Sequence, residues 1–389
     1  MSFRKNLVGF SSFAAMGLER LLRGGRAVAV PEKVSCVLIL EYMLPLGCCV
    51  HLTPVYEAIK RSSPEITIIV ATRGIGSALL RHNPSIDYLI ETPDPLQDLF
   101  GAAKFLRTEL AQRNLRPDCI LTGAADQRTR IALLAFLAGP GWRGGFTLAP
   151  HLYQRPLSYQ WGLSLIDNNL RLAALTNCQT EHVEPRVFFS AADIDAATSL
   201  THEANPEGKP LVVMVTQNSG GQRTGWHDDR FVQVIHHANR VLGCAIAYVG
   251  TASDSAAIEQ LRQAAGGIGT SLAGRTSVTE LAALLALSDA AVSLDTGTMH
   301  IGRAVGVPMA VIGPAWQKPL EWMPLGIPNV RILRGKDRED IPLNYKLDEV
   351  QATDVIAALT ELLESYPPSH AQRAIRLRAS LSDTNHSQQ

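Results

Sequence analysis

The stretch that decides the fold is Ser293-Leu-Asp-Thr-Gly-Thr-Met-His-Ile-Gly-Arg-Ala-Val-Gly-Val-Pro308. Residues 290–294 predict a short buried strand, and apolar residues at helical spacing over 298–305 predict a helix. The turn between them therefore holds the unpaired N–H groups of a helix N-terminus, which favour an anion. Gly297 lets the backbone approach a ligand closely. This pattern is typical of a phosphate-binding turn.

Two side chains of this turn suit a sugar phosphate. Asp295, at the end of the strand, can accept hydrogen bonds from sugar hydroxyls, and His300, in the first helical turn, can donate to a phosphate. The plainer alternative is a helix-capping aspartate with a surface histidine. The combination and length of the pattern favour the ligand site.

Strand-like and helical segments alternate along most of the chain. Before residue 175 we predict strands at 34–40, 66–70, 88–91 and 118–121, and helices at 51–61, 75–81, 96–113 and 129–137. After residue 210 we predict strands at 211–216, 245–249 and 290–294, and helices at 228–242, 255–265 and 277–287. Two α/β domains follow, each a doubly wound, Rossmann-like parallel sheet with its ligands beyond the carboxyl ends of the strands.

The domain limits come from length and from turn residues. A chain of 389 residues exceeds the size of one ordinary core. We expect an N-terminal leader over 1–30, a first domain over 31–185, a linker over 186–209, a second domain over 210–365 and a flexible tail over 366–389.

The overall composition excludes several classes of protein. With 36 basic and 36 acidic residues and 46% hydrophobic residues, the chain is folded and has no global charge to attract nucleic acid. The six cysteines are scattered through apolar contexts and indicate a reducing, cytoplasmic environment. No apolar run is long enough to span a bilayer.

The first 30 residues differ from the rest. They contain five basic residues and one acidic residue, interleaved with apolar ones. This pattern favours an amphipathic helix on an anionic membrane surface, although a helix packed on the protein itself or a frayed leader is equally consistent with it. The predicted location is cytoplasmic, with peripheral attachment to the inner face of the membrane.

The motif Asp-Thr-Gly-x-x-His-x-x-x-Ala-x-Gly-x-Pro, followed by Gly313-Pro314, resembles the signature of glycosyltransferase family 9, the heptosyltransferases that build the lipopolysaccharide core. Residues 36–40, 46–54, 64–70 and 83–87 also resemble the family's N-terminal strand, glycine turn, second strand and "NP-x-ID" stretch. The resemblance implies two domains that face a cleft, the glycosyltransferase B architecture, and a nucleotide-sugar donor bound by the second domain.

The resemblance also assigns donor-binding residues. It implies that the Asp295 motif and the loop after the domain's first strand hold the donor, and that a glycine after the next strand lies near the nucleoside. The residues concerned are Asp295, Thr296, Gly297, Thr298, His300, Gln217, Asn218, Arg223 and Gly250. Arg223 lies one position away from the family's basic residue and could be a solvated loop charge. A turn with a helix cap would also explain Gly250.

The general base is the point of departure from the family. There, an aspartate after the first glycine turn is held to deprotonate the acceptor, whereas Gly47 is followed here by Cys48, whose ordinary thiol is a poor base. Glu41, at the end of the first strand, could replace it, and His51 titrates in a useful range. Cys48, Glu41 and His51 are the three candidates. We expect no cofactor and no metal.

The sequence thus predicts an inverting glycosyltransferase. It would move a sugar, with heptose as the sugar that the family resemblance implies, from a nucleotide-diphosphate donor to a lipid-linked or lipopolysaccharide-type saccharide. Two alternatives remain open: a noncatalytic nucleotide-sugar binder that lost its base, and a sugar-nucleotide epimerase on the same architecture.

Overall fold

The computed structural model describes residues 30, 32–43, 45–179, 181–218, 224–313, 319–336 and 345–383. The chain divides into two compact units, which meet in the sequence between Pro185 and Arg186. The predicted leader over 1–30 lies almost wholly outside the described residues. Within the described ranges, no helix is both long and apolar enough to cross a bilayer.

The first unit is a six-stranded parallel sheet with helices between its strands, in the order β3-β2-β1-β4-β5-β6. The strands are β1 (Cys36–Leu40), β2 (Thr67–Thr72), β3 (Tyr88–Glu91), β4 (Cys119–Thr122), β5 (Trp142–Phe146) and β6 (Arg155–Leu157). The helices are α1 (Leu46–Ser62), α2 (Ile75–Leu80), α3 (Leu99–Gln112), α4 (Thr129–Ala138) and α5 (Leu165–Leu175). The central strands β1 and β4 pair with Leu40 opposite Thr122.

The second unit has the same strand order in its own six-stranded parallel sheet, β10-β9-β7-β11-β12-β13. The strands are β7 (Leu211–Val215), β9 (Ala245–Tyr248), β10 (Thr270–Ser271), β11 (Ala290–Leu294), β12 (Met309–Gly313) and β13 (Val330–Arg334), with a separate pair, β8 (Thr224–Gly225) and β14 (Tyr345–Lys346). The helices are α6 (Ala191–Ala204), α7 (Asp228–Arg240), α8 (Ser255–Ala264), α9 (Val278–Leu287), α10 (Gly297–Val305), α11 (Pro319–Trp322), α12 (Ala352–Ser365) and α13 (His370–Ser380).

Burial explains why these central strands read as continuous apolar runs. Every residue of β7, β11 and β12 is buried. A strand that is buried throughout must be covered on both faces of its sheet. The predicted class is therefore confirmed: each unit is a doubly wound, Rossmann-like α/β fold.

Helix α1 begins five residues earlier than the sequence predicted. Its capping residue is Pro45, whose carbonyl accepts hydrogen bonds from the N–H groups of Cys48 and Cys49. Pro54 lies inside the helix and cannot donate to the carbonyl four residues before it. That carbonyl, of Val50, accepts instead from the hydroxyl of Thr53 at 2.8 Å. The predicted glycine turn at Gly47 and Cys48 is consequently the first turn of a helix.

Some elements carried no clear signal in the sequence. Strand β5 contains two glycines, and β6 is a three-residue edge strand that contains Pro156. The segment predicted as a linker includes α6. Asp193 of α6 accepts a 2.8 Å hydrogen bond from the hydroxyl of Thr279 in α9, which joins the two helices. The segment predicted as a tail includes α13.

Candidate active site

The second sheet reverses its strand order between β7 and β11. Doubly wound folds bind ligands at this switch point, beyond the carboxyl ends of the strands. Ser293 of β11 pairs with Val215 of β7, so that the segments beginning at Thr216 and Asp295 leave the sheet side by side. The predicted Asp295 motif and the predicted loop at Gln217 and Asn218 therefore lie at the same edge.

Asp295 and His300 are both buried at this edge, and their side chains approach each other. His300 Nε2 lies 3.9 Å from Asp295 Oδ1, which is too long for a hydrogen bond. Burial, assisted by the nearby charge of Arg303, lowers the pKa of His300 to about 3. The imidazole is therefore neutral at physiological pH, and it would meet a phosphate or sugar as a hydrogen-bonding group and not as a cation.

Two buried oxygens at this switch point have no hydrogen-bond partner within the described ranges: Thr296 Oγ1 and Asn218 Oδ1. Thr296 is the N-cap residue of α10, yet its hydroxyl does not cap the helix. A buried polar atom that stays unpaired costs about 1–3 kcal/mol. These oxygens are consequently suited to bind polar groups of a ligand at the α10 N-terminus, where Gly297 and Thr298 are half-buried.

The other predicted donor residues give a mixed picture. The side-chain amide of Gln217 reaches the hydroxyl of Thr216 only at 3.4 Å. A Cβ built on Gly250 would lie 2.9 Å from Cδ1 of Ile258 and 3.2 Å from Cβ of Asp254, so tight local packing favours a glycine there without any ligand. Arg223 lies outside the described residues.

The first sheet reverses its order between β1 and β4, and Glu41 is the residue that follows β1. Its side chain is only 4% exposed. Burial, and then the charge of Asp126, raise the pKa of Glu41 well above its usual range, against weaker opposing effects that include a hydrogen bond from the Met43 backbone. The carboxyl group therefore keeps its proton to a higher pH than an exposed glutamate does.

The other two predicted bases lie on α1. Burial, together with Glu41 and Asp126, raises the pKa of the Cys48 thiol to about 12, so a thiolate is scarce at neutral pH. His51 is 1% exposed, within the buried part of the helix. Of the three candidates, Glu41 is the only carboxyl group, and it directly follows the central strand β1.

Asp126 and Arg128 belong to the same edge, and sequence reasoning did not select them. Asp126 is buried, and both of its oxygens accept from the Arg128 guanidinium at 2.7 Å. Arg128 also donates to the carbonyl of Tyr42 at 2.8 Å, which connects the segments after β4 and β1. The available signal was an acid a few residues beyond a buried strand, the same rule that selected Asp295.

Asn169 of α5 holds this segment in place. Its side chain accepts from the N–H of Ala124 at 2.8 Å and donates to the carbonyl of His51 at 3.0 Å. The loop that leads to Asp126 is thereby fixed to α1, the helix that carries Cys48.

The sequence profile of glycosyltransferase family 9 (heptosyltransferase) matches residues 128–338, more than half of the chain. The chain belongs to glycosyltransferase family 9. The matched residues include the Asp295 motif but not Glu41, Cys48 or His51. No curated protein sequence matches the chain significantly.

Solved structures share the fold of this family 9 glycosyltransferase at low sequence identity. A family 9 glycosyltransferase from Veillonella parvula is 16% identical, with a TM-score of 0.77 over 87% of this chain and 99% of that one. Escherichia coli ADP-heptose LPS heptosyltransferase II is 16% identical, with a TM-score of 0.69 over 85% and 99%. Escherichia coli heptosyltransferase WaaC with ADP-2-deoxy-2-fluoro heptose is 17% identical, with a TM-score of 0.63 over 84% and 99%.

Proposed function

We propose that this glycosyltransferase transfers a heptose-type sugar, with inversion, from an ADP-activated donor to a lipid-linked saccharide of the lipopolysaccharide type. Membership of family 9 supports the reaction class. The donor is suggested by Escherichia coli WaaC, a fold relative whose structure holds ADP-2-deoxy-2-fluoro heptose.

The observation that carries the proposal is the switch point of the second sheet. It combines the α10 N-terminus, which favours phosphate, with the buried oxygens of Thr296 and Asn218, which find no partner in the part of the chain that the structure describes. Asp295 adds a buried carboxylate that can accept from sugar hydroxyls. His300, held neutral, adds a hydrogen-bonding group. A nucleotide sugar needs both kinds of contact within one site.

The proposed reaction is a single in-line displacement. An acceptor hydroxyl oxygen forms a bond to the anomeric carbon while the bond from that carbon to the diphosphate oxygen breaks, and the diphosphate leaves with the electron pair. The hydroxyl proton passes to a base. Interactions at the α10 N-terminus that strengthen as the diphosphate gains charge lower the barrier.

Glu41 is the base that we propose. It is a buried carboxyl group directly after β1, and burial raises its pKa, so its carboxylate is a stronger base than that of an exposed glutamate once the proton is lost. Asp126 contributes to that shift and lies on the neighbouring segment. The thiol of Cys48, with its pKa of about 12, would not serve as a base at neutral pH.

The amphipathic pattern of the leader supports a further part of the proposal, peripheral attachment at the cytoplasmic face of the membrane. A version that lacks residues 1–30 should co-sediment less with anionic vesicles than the full chain. Equal sedimentation would remove the leader as an anchor.

The decisive experiment measures diphosphate release by the full chain with ADP-, UDP- and GDP-sugars, in the presence and absence of a lipid-linked saccharide acceptor. We expect acceptor-dependent release of ADP and a product with inverted anomeric configuration by NMR. Calorimetric binding of ADP-sugar without any turnover across acceptors would favour the noncatalytic binder.

A further inference from the structure

The first unit exposes apolar side chains next to cations on the outer side of α3 and α4. Phe100, in the first turn of α3, is 75% exposed, and Leu96 just before the helix is 37% exposed. Lys104 and Arg107 follow Phe100 at spacings of four and seven residues, which places all three on one side of the helix. Both cations are exposed.

Arg130, exposed in the first turn of α4, joins this surface. Its guanidinium donates to the carbonyls of Pro95 at 2.7 Å and Gln97 at 3.3 Å, which lie beside Leu96. Arg107 reaches the carbonyl of Leu137 in α4 at 3.5 Å. We call this continuous surface the α3–α4 face; it consists of Leu96, Phe100, Lys104, Arg107 and Arg130.

The charges of the α3–α4 face are not neutralised locally. Among the described residues, Lys104, Arg107 and Arg130 form no ion pair with a carboxylate. The adjacent acids are engaged elsewhere: Asp94 pairs with Arg73, Asp98 caps the N–H of Gly101, and Glu109 pairs with Arg113. Three cations against the one exposed carboxylate of Asp98 still leave net positive charge around an exposed aromatic ring.

We propose that the α3–α4 face binds the surface of an anionic lipid bilayer, with Phe100 inserted among the lipids and Lys104, Arg107 and Arg130 on lipid phosphates. Charge complementarity selects this partner, because protein surfaces that bind anionic membranes combine an apolar anchor with surrounding cations. An isolated exposed apolar residue would need no explanation, but one surrounded by unneutralised cations indicates a binding surface.

The α3–α4 face lies near the edge of the sheet that carries Glu41. Phe100 and Arg130 lie in the first turns of α3 and α4, which follow the carboxyl ends of β3 and β4. Glu41 follows the carboxyl end of β1 in the same parallel sheet. Membrane contact at this edge would bring a lipid-linked acceptor to Glu41; only this consequence rests on the proposed function.

The test is co-sedimentation of the full chain with phosphatidylcholine vesicles that contain or lack phosphatidylglycerol. We expect binding only with phosphatidylglycerol. Phe100→Ser should weaken it roughly tenfold, since the aromatic side chain that would enter the lipid is lost. The triple variant Lys104→Gln, Arg107→Gln, Arg130→Gln should weaken it by about fivefold for each removed cation.

A matched control exists in the second unit, where the exposed Arg240 is followed by Val241, which is 67% exposed. The double variant Arg240→Gln, Val241→Ser should bind as the unchanged chain does. All variants should keep the thermal unfolding midpoint and the calorimetric affinity for ADP, which separates failure of this proposal from failure of the proposed function.

Three results would overturn the proposal. One is equal vesicle binding by the face variants and the control. Another is a face variant that changes the oligomeric state in light scattering while vesicle binding stays intact, which would make the face an interface between copies. The third is complete loss of binding on deletion of residues 1–30 with no effect of the face variants.

Discussion

The two parallel sheets resemble each other at the amino ends of their central strands and differ at the carboxyl ends. At the amino end, each sheet places an aspartate just before its fourth strand, and this carboxylate accepts from the N–H at the start of the first strand. Asp118 accepts from Ser35 at 2.7 Å and Cys36 at 3.0 Å, and Asp289 accepts from Leu211 at 2.8 Å. The scaffold is thus repeated.

The carboxyl ends carry different chemistry. In the second sheet, the segment after β11 holds Asp295 and leads into α10, as the family motif requires. In the first sheet, Cys48 lies in the first turn of α1, and a buried carboxyl group, Glu41, directly follows β1. Under the proposed function, the second sheet keeps the family's donor motif and the first sheet uses a different group to deprotonate the acceptor.

The largest expected effect tests this difference directly. Glu41→Gln should lower kcat by about 10²- to 10⁴-fold, the usual contribution of a general base. Donor affinity in calorimetry should stay unchanged, because Glu41 belongs to the other sheet. Glu65→Gln, an exposed substitution in the same unit, serves as the control.

A second variant sharpens the result. Cys48→Asp restores the family's residue, and when it is added to Glu41→Gln it should recover part of the lost turnover. Full activity of Glu41→Gln alone would exclude Glu41 from the mechanism.

The next effect concerns the shared amino-end anchor. Asp289 is buried and also pairs with Arg373 at 3.3 Å, whereas Asp118 is half-buried. Asp289→Ala removes the buried partner of an ion pair with the half-buried Arg373 and leaves the N–H of Leu211 without its acceptor, so it should cost up to about 3–5 kcal/mol of unfolding free energy. Asp118→Ala should cost about 1–3 kcal/mol. Urea denaturation of the two variants measures both, and equal losses would contradict the ranking.

The site of the second sheet was easier to predict from the sequence than the site of the first sheet. The second sheet was predictable at its site because β7 and β11 are fully buried, mostly apolar strands, and β11 ends at a motif with a carboxylate, hydroxyls and a glycine. The first was harder. Strand β5 contains Gly144 and Gly145, and α1 continues through Pro54 because Thr53 replaces the missing donor.

Long-range contacts set the rest of the first site. The raised pKa of Glu41 depends on burial and on Asp126, 85 residues away in sequence but adjacent in the fold through Arg128 and Tyr42. Residue spacing within one segment of the chain cannot predict that Asp126 lies next to Glu41. Strand order alone could have suggested it, since β1 and β4 are side by side at the switch point.

Donor affinity should respond less than turnover does. Asp295→Ala or His300→Ala removes a polar group from the α10 edge, and hydrogen bonds that involve a charged group are worth about 1.5–3 kcal/mol, or roughly 10- to 150-fold in Kd. Asp126→Ala, in the other sheet, is the matched control and should leave the Kd for ADP-sugar unchanged. Wild-type affinity in both folded variants would reject the assignment of the donor site.

The smallest expected effect is on the pH dependence of the free energy of unfolding, which reports the pKa of Glu41 without any substrate. Below the ordinary glutamate pKa of about 4.3, Glu41 is protonated in both the folded and the unfolded chain and adds no pH dependence. Between that value and its raised pKa in the fold, only the unfolded chain ionises, so the free energy of unfolding should fall by up to about 1.4 kcal/mol per pH unit. Above the raised pKa, this contribution becomes constant.

Glu41→Gln mimics the protonated side chain and removes this loss. The difference in unfolding free energy between the variant and the unchanged chain should therefore grow with pH from about 4.3 and level off at the pKa of Glu41 in the fold. The same pKa should appear in kcat/KM of the unchanged chain, which should rise with pH as the base loses its proton. A stability difference that does not vary with pH, with Glu65→Gln as the surface control, would show that burial does not hold the proton on Glu41.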